Sequence, residues 1–89
     1  MEVLKRATAG TMESSDAYVE IEPSDDGLAV VIESVVEKQF GDRIEASVRE
    51  VLAESGVLSA RVRIADRGAL DCVIRARVET AIQRAGGKV

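Results

Sequence analysis

The chain has no histidine and no tryptophan, and only one cysteine, one proline, one phenylalanine and one tyrosine in 89 residues. Each scarcity removes a class of function. Without histidine there is no Ser–His or Cys–His nucleophilic pair and no imidazole general base. A lone thiol, Cys72, leaves most zinc sites short of ligands and forms no intrachain disulfide framework. Aromatics amount to 2 %, too few for platforms that stack single-stranded bases. Basic residues are in deficit, 12 Lys and Arg against 16 Asp and Glu, for a net charge of −4. A nucleic-acid binder shows the opposite balance. No apolar run approaches a membrane span, and Met1 to Gly10 lacks the apolar stretch of a signal peptide. These features predict a cytoplasmic, acidic protein that docks onto basic patches of partners.

The residues that are present describe one small domain. Hydrophobic residues make up 46 % and charged residues 31 %, ordinary for a globular chain with one modest, here aliphatic, core. Residues 1–16 are small and polar without a sustained period. They read as a flexible, accessible N-terminal segment, with a short edge strand near Val3 to Ala7. Residues 17–89 read as a single α+β domain.

Within that domain, Ala17 to Glu22 alternates, with Val19 and Ile21 facing one way and Tyr18 and Glu20 the other, as in a half-buried strand. Pro23-Ser24-Asp25-Asp26-Gly27 is a dense turn signal, and Leu28 to Ile32 is a second β-rich run. Together they predict a β-hairpin with a longer loop. Ser34 and Glu37 have the spacing of a capping box. Val36, Phe40, Ile44, Val48, Val51 and Leu52 then form the stripe of an amphipathic helix. Gly41 inside it implies close packing or a break, and Gly56 is a helix stop. Ser59 to Ala65 alternates again, with Ala60, Val62 and Ile64 inward and Arg61 and Arg63 outward. After a turn at Asp66-Arg67-Gly68, a second stripe runs through Leu70, Val73 or Ile74, Arg77 or Val78, Ala81, Ile82 and Ala85 to Gly86-Gly87. The fold expected is a small two-layer α+β sandwich in ββαβα order. A three- to four-stranded sheet has two helices on one face, and a parallel crossover joins the last two strands.

Three stretches could carry chemistry. In Gly10-Thr11-Met12-Glu13-Ser14-Ser15-Asp16 an exposed serine is easy for another enzyme to reach. With no histidine to activate it, Ser14 reads as a site acted upon rather than a nucleophile. On composition alone Ser14-Ser15-Asp16 is an ordinary turn or capping cluster. Glu33 to Asp42 reads either as a helix start or as a docking edge. In Asp66 to Arg77, Asp71 and Arg75 are spaced for a helical ion pair, and Cys72 looks like a small, partly buried hydrophobe. Arg61, Arg63, Arg67, Arg75 and Arg77 form either a basic patch or a scatter of surface charges.

Taken together, Ala9 to Asp16, Val36-Glu37-Lys38-Gln39-Phe40-Gly41-Asp42, and Asp66 to Arg77 resemble the gamma, or acyl carrier, subunit of citrate lyase. The resemblance covers nearly the whole chain, in order and spacing. It implies that a serine matching Ser14, with Ser15 as the competing hydroxyl, carries 2'-(5''-phosphoribosyl)-3'-dephospho-CoA through a phosphodiester. It implies alpha and beta subunits as partners. The first exchanges acetyl for citryl on the arm, and the second cleaves the citryl thioester to oxaloacetate. It also implies a dedicated transferase that attaches the group. The chain itself would have no catalytic residue and no metal. The Asp-Ser-Leu signature of ordinary acyl carriers is absent. Two other roles fit an α+β sandwich of this size: a small-ligand or regulatory module, and a phosphate or RNA binder using the arginines.

Overall fold

The computed structural model describes residues 2–34 and 38–86; Val36, Glu37 and Gly87 lie outside the described residues, as do the side chains of Lys38, Gln39 and Phe40. The elements are β1 (Ala7–Gly10), β2 (Ala17–Glu22), β3 (Leu28–Ser34), α1 (Lys38–Glu54), β4 (Ala60–Asp66) and α2 (Asp71–Gly86). The expected α+β sandwich is observed, with the early edge strand at Ala7–Gly10 rather than near Val3 to Ala7. Val3 is buried in the core, and the Leu4 and Lys5 amides donate to the Ala85 carbonyl at the end of α2. Val3 and Ala9 therefore belong to the core and Ala7–Gly10 to the sheet of the domain.

The sheet order is β1-β2-β4-β3. This corrects one expectation: β2 and β3 do not form a hairpin. β4 lies between them, antiparallel to β2 (Val19↔Ile64) and parallel to β3 (Ile32↔Ile64). Alternation fixes which side of a strand faces the core but not which strand is its neighbour. Central β4 presents Ala60, Val62 and Ile64 to the core, so it takes the middle place while both strands of the expected hairpin move apart. The hairpin that does form joins β1 to β2, with Ala9 opposite Val19. The parallel β3–α1–β4 crossover is as expected.

One face of the sheet is covered by both helices. Val19, Ile21, Val62 and Ile64 meet Ile44, Val48, Val51 and Leu52 of α1 and Ile74, Val78, Ala81 and Ile82 of α2 in one aliphatic core. The other face carries two cross-strand ion pairs, Arg61–Glu22 and Arg63–Glu33, and a third from Arg6, just before β1, to Glu20. Helix α1 ends in a Schellman motif: the Val57 amide donates to the Leu52 carbonyl and the Gly56 amide to Ala53, with Gly56 at φ +72°.

Several local expectations are corrected. Helix α1 runs through Gly41 without a break, and a Cβ there would meet nothing within 4 Å, so close packing is not its reason. Ser34 is the last residue of β3 and its hydroxyl donates to Asp66 Oδ2 at 2.8 Å. Leu70 is 71 % exposed because it precedes α2 instead of joining its stripe; its carbonyl accepts the Val73 and Ile74 amides. Cys72 is exposed: it sits two residues before buried Ile74, about 200° around the helix. Arg75 does not pair with Asp71. It bridges the helices to Glu50 (2.8 Å) and Glu54 (3.5 Å), while Asp71 accepts from the Ser47 hydroxyl.

Candidate functional site: the serine turn

The β1–β2 connection occupies residues 11–16, and its tip is a β-turn closed by the Asp16 amide donating to the Glu13 carbonyl at 3.1 Å. Ser14 and Ser15 are its central residues. Ser15 has φ +67° and is the only non-glycine with positive φ among the described residues. A positive φ at the third turn position marks a type II turn, normally filled by glycine. A serine there costs about 1 kcal/mol of backbone strain, so something must hold it.

Two sets of contacts do. The first extends the β2–β4 ladder past the strand ends. The Ser15 amide donates to the Arg67 carbonyl and the Arg67 amide to the Asp16 carbonyl, both at 2.9 Å. Two residues, Ser15 and Asp16, thus oppose one, Arg67. This is a β-bulge of the kind that usually has glycine where Ser15 stands, and bulges of this sort re-aim the side chains beside them. Ser14 directly precedes the bulge. It is exposed and makes no hydrogen bond to any described residue.

The second set converges on Asp16. Its Oδ1 accepts the Ala17 amide (2.7 Å) and Arg77 Nε (3.0 Å); its Oδ2 accepts the Thr11 hydroxyl (2.7 Å) and Arg77 Nη2 (3.1 Å). The Thr11 hydroxyl in turn accepts the Glu13 amide. The Thr11 hydroxyl, the Arg77 guanidinium and the Ala17 amide hold the Asp16 carboxyl down at about 2, against an ordinary 3.8. Arg77 reaches the turn from α2 across Gly10. A Cβ at Gly10 would stand 1.9 Å from the Ala17 carbonyl oxygen and 3.2 Å from the Arg77 Cδ, and its φ is +92°. Only glycine fits there.

Asp66, the buried acidic residue at the end of β4, shapes the other wall. Its Oδ1 accepts the Gly68 and Ala69 amides as the chain turns towards α2, with Gly68 at φ +94°. That turn sets the position of Arg67, whose backbone holds Ser15.

The sequence singled out Ser14, Ser15 and the Asp66 to Arg77 stretch, and the structure brings them together at one end of the sheet. It does not bring the arginines together. Arg61 and Arg63 lie on the open sheet face, Arg75 lies between the helices, and only Arg67 and Arg77 touch the turn. The sequence reading missed Asp16 as the centre of the turn and Arg77 as its partner. The Arg77–Asp16 pair spans 61 positions, and no short-range spacing signals it. Among the described residues no group of three His, Cys, Asp or Glu could hold a metal ion, and no helix is long and apolar enough to cross a membrane.

A family model described as the acyl carrier protein, malonate decarboxylase delta subunit, matches residues 4–85. The citrate lyase acyl carrier protein of Haemophilus influenzae (strain PittEE) is 55 % identical over 85 residues, which is 96 % of this chain and 88 % of that protein. The protein of the same name from Rhodopseudomonas palustris (strain BisA53) is 53 % identical, with the same coverage. Among solved structures, a chain in the crystal structure of a Pseudomonas malonate decarboxylase hetero-tetramer in complex with malonate superposes with a TM-score of 0.81. It shares 25 % identity, over 94 % of this chain and 87 % of that one. With the serine turn and the stretches that flank it spanned by these matches, the chain belongs to the family of citrate lyase acyl carrier proteins.

Proposed function

We propose that this chain is the acyl carrier subunit of a citrate lyase, and that Ser14 is the attachment point of its covalent prosthetic group. The observation that supports Ser14 most directly is its place at the tip of a braced turn, exposed and without a hydrogen bond of its own. A hydroxyl with no protein partner loses nothing when a phosphodiester replaces its proton. The Ser15 hydroxyl is likewise exposed and without a hydrogen bond to a described residue, so it remains the competing hydroxyl; it differs in its backbone, whose amide is tied to Arg67 and whose φ is positive.

The residues fit a carrier and not a catalyst. No histidine is available to activate the hydroxyl, and Asp16 is a poor base, held near pKa 2 with both oxygens occupied. On this reading the group is 2'-(5''-phosphoribosyl)-3'-dephospho-CoA, which supplies a thiol for carrying acyl groups between the alpha and beta subunits. A dedicated transferase attaches it, and the complex works in the cytoplasm. Tethering raises the effective concentration of the acyl group at both partner sites when the arm spans them.

The test is intact mass with peptide mapping on protein produced together with its modifying enzymes. An adduct of the size of the arm is expected on the peptide containing Ser14, absent in Ser14→Ala and retained in Ser15→Ala. Full lyase activity of a complex containing Ser14→Ala would overturn the reading.

A further inference from the structure

Two arrangements keep the serine turn in shape, and in one of them a carboxylate of the turn is paired with a cation from a distant helix. Asp16 has a side chain only 14 % exposed although it belongs to a surface turn. Four donors fill its two oxygens: the Thr11 hydroxyl at the near end of the turn, the Ala17 amide at the far end, and both arms of the Arg77 fork. The carboxylate therefore closes the base of the turn and ties it to α2 in one group. The Arg77 stem lies over Gly10, a position that admits no side chain. The arrangement is specific to arginine, because a planar fork can meet both carboxylate oxygens and an ammonium cannot.

A core of aliphatic side chains accounts for the fold without this pair, and the exposed ion pairs of the open sheet face contribute little to stability. What the Asp16–Arg77 pair does fix is the shape of residues 11–16 around Ser14. We propose that Asp16 and Arg77 are positioning residues for modification at Ser14: they hold the turn in the conformation a transferring enzyme must grip. The proposal rests on the reading of Ser14 as the attachment serine. In that step the Ser14 Oγ attacks phosphorus of a phosphoric-anhydride donor. The Oγ–P bond forms, the anhydride P–O bond breaks with its electron pair leaving on the departing phosphate, and the hydroxyl proton passes to a base of the transferring enzyme. Neither Asp16 nor Arg77 touches the reacting atoms; they act by fixing where Oγ is. Misplacement of a reacting group by about 1 Å lowers rates on the order of a hundredfold.

The experiment uses the unmodified full chain, the transferring enzyme and its anhydride donor, with adduct formation followed by intact mass. Asp16→Asn and Arg77→Gln are expected to lower kcat/KM for modification on the order of tenfold to a hundredfold, with Arg77→Lys between them and the wild type. Amide exchange at Ser15 in the unmodified protein should accelerate in the first two variants, a readout independent of any enzyme. Val78→Ala, which opens the core one residue along α2, controls for general destabilisation. It should lower the melting temperature more than Arg77→Gln does and leave modification near the wild-type rate. Wild-type modification rates in Asp16→Asn and Arg77→Gln would overturn the positioning role while leaving the attachment reading intact. Equal losses in Val78→Ala and Arg77→Gln would overturn it as well. A wild-type chain that takes no adduct at Ser14 would instead overturn the attachment reading, and the proposal with it.

Discussion

Two loops of this domain have nearly the same chemistry and opposite fates. The serine turn, Thr11-Met12-Glu13-Ser14-Ser15-Asp16, and the β2–β3 connection, Pro23-Ser24-Asp25-Asp26-Gly27, are both short, polar and acidic. In the β2–β3 loop the Asp26 amide donates to the Ser24 hydroxyl, and the Ser59 hydroxyl donates to the Ser24 carbonyl. Those bonds shape the backbone, but among the described residues neither Asp25 nor Asp26 meets a cation. In the serine turn one aspartate gathers four donors, two of them from a guanidinium 61 positions away in the chain. The role of an acidic loop residue is thus set by what stands opposite it in space, not by its sequence neighbours.

Glycines give the sharpest way to break the comparison. Gly10 and Gly27 both have φ near +90° (+92° and +83°), but a Cβ at Gly10 meets the Ala17 carbonyl oxygen while one at Gly27 meets nothing within 4 Å. Gly10→Ala should cost at least about 3 kcal/mol, strain and clash together, and Gly27→Ala about 1 kcal/mol, strain alone. Urea denaturation measures both; equal costs would mean that the two loops are equally free to adjust.

Acid is the next test. The carboxyl of Asp16 titrates near 2 in the fold and near 3.8 when free. A folded value below the unfolded one means that the carboxylate form stabilises the fold. That contribution is complete above about pH 4 and is lost as pH falls from there through 2. Amide exchange at Ser15 and Ala17 should therefore accelerate between pH 4 and 2, after correction for intrinsic rates. The smallest effect belongs to neutralising the other loop. Asp25→Asn should change stability by less than about 0.5 kcal/mol, as surface substitutions away from special contacts do. A larger loss in the same denaturation series would show a partner for Asp25 in solution.

Periodicity made much of this fold legible. The alternation of Val19 and Ile21 placed β2, that of Ala60, Val62 and Ile64 placed β4, and the stripes through Ile44 to Leu52 and through Ala81 to Ala85 placed the helices. Strand order was not legible, because a strand with one apolar face is compatible with any neighbour, and the loop after β2 looked like a hairpin turn. β1 is four residues of Ala, Thr and Gly, too short and too small to show a period. Ser14 itself was visible only through its family resemblance. The reason its turn is rigid was hidden, since Arg77 looks like any helical arginine until β1 and α2 are brought together.

The place of β4 also fixes a timetable. The inner strand β4 comes in the last third of the chain, and the turn that carries Ser14 is held through Ser15 and Asp16 by the backbone of Arg67 and the side chain of Arg77. A nascent chain emerging from a ribosome exposes its serine early, yet the turn around it cannot close until almost everything else has been synthesised. Contacts of such long sequence separation form late and slowly. If Ser14 is the attachment serine and its enzyme requires the closed turn, modification is expected on finished domains and not on growing or truncated chains.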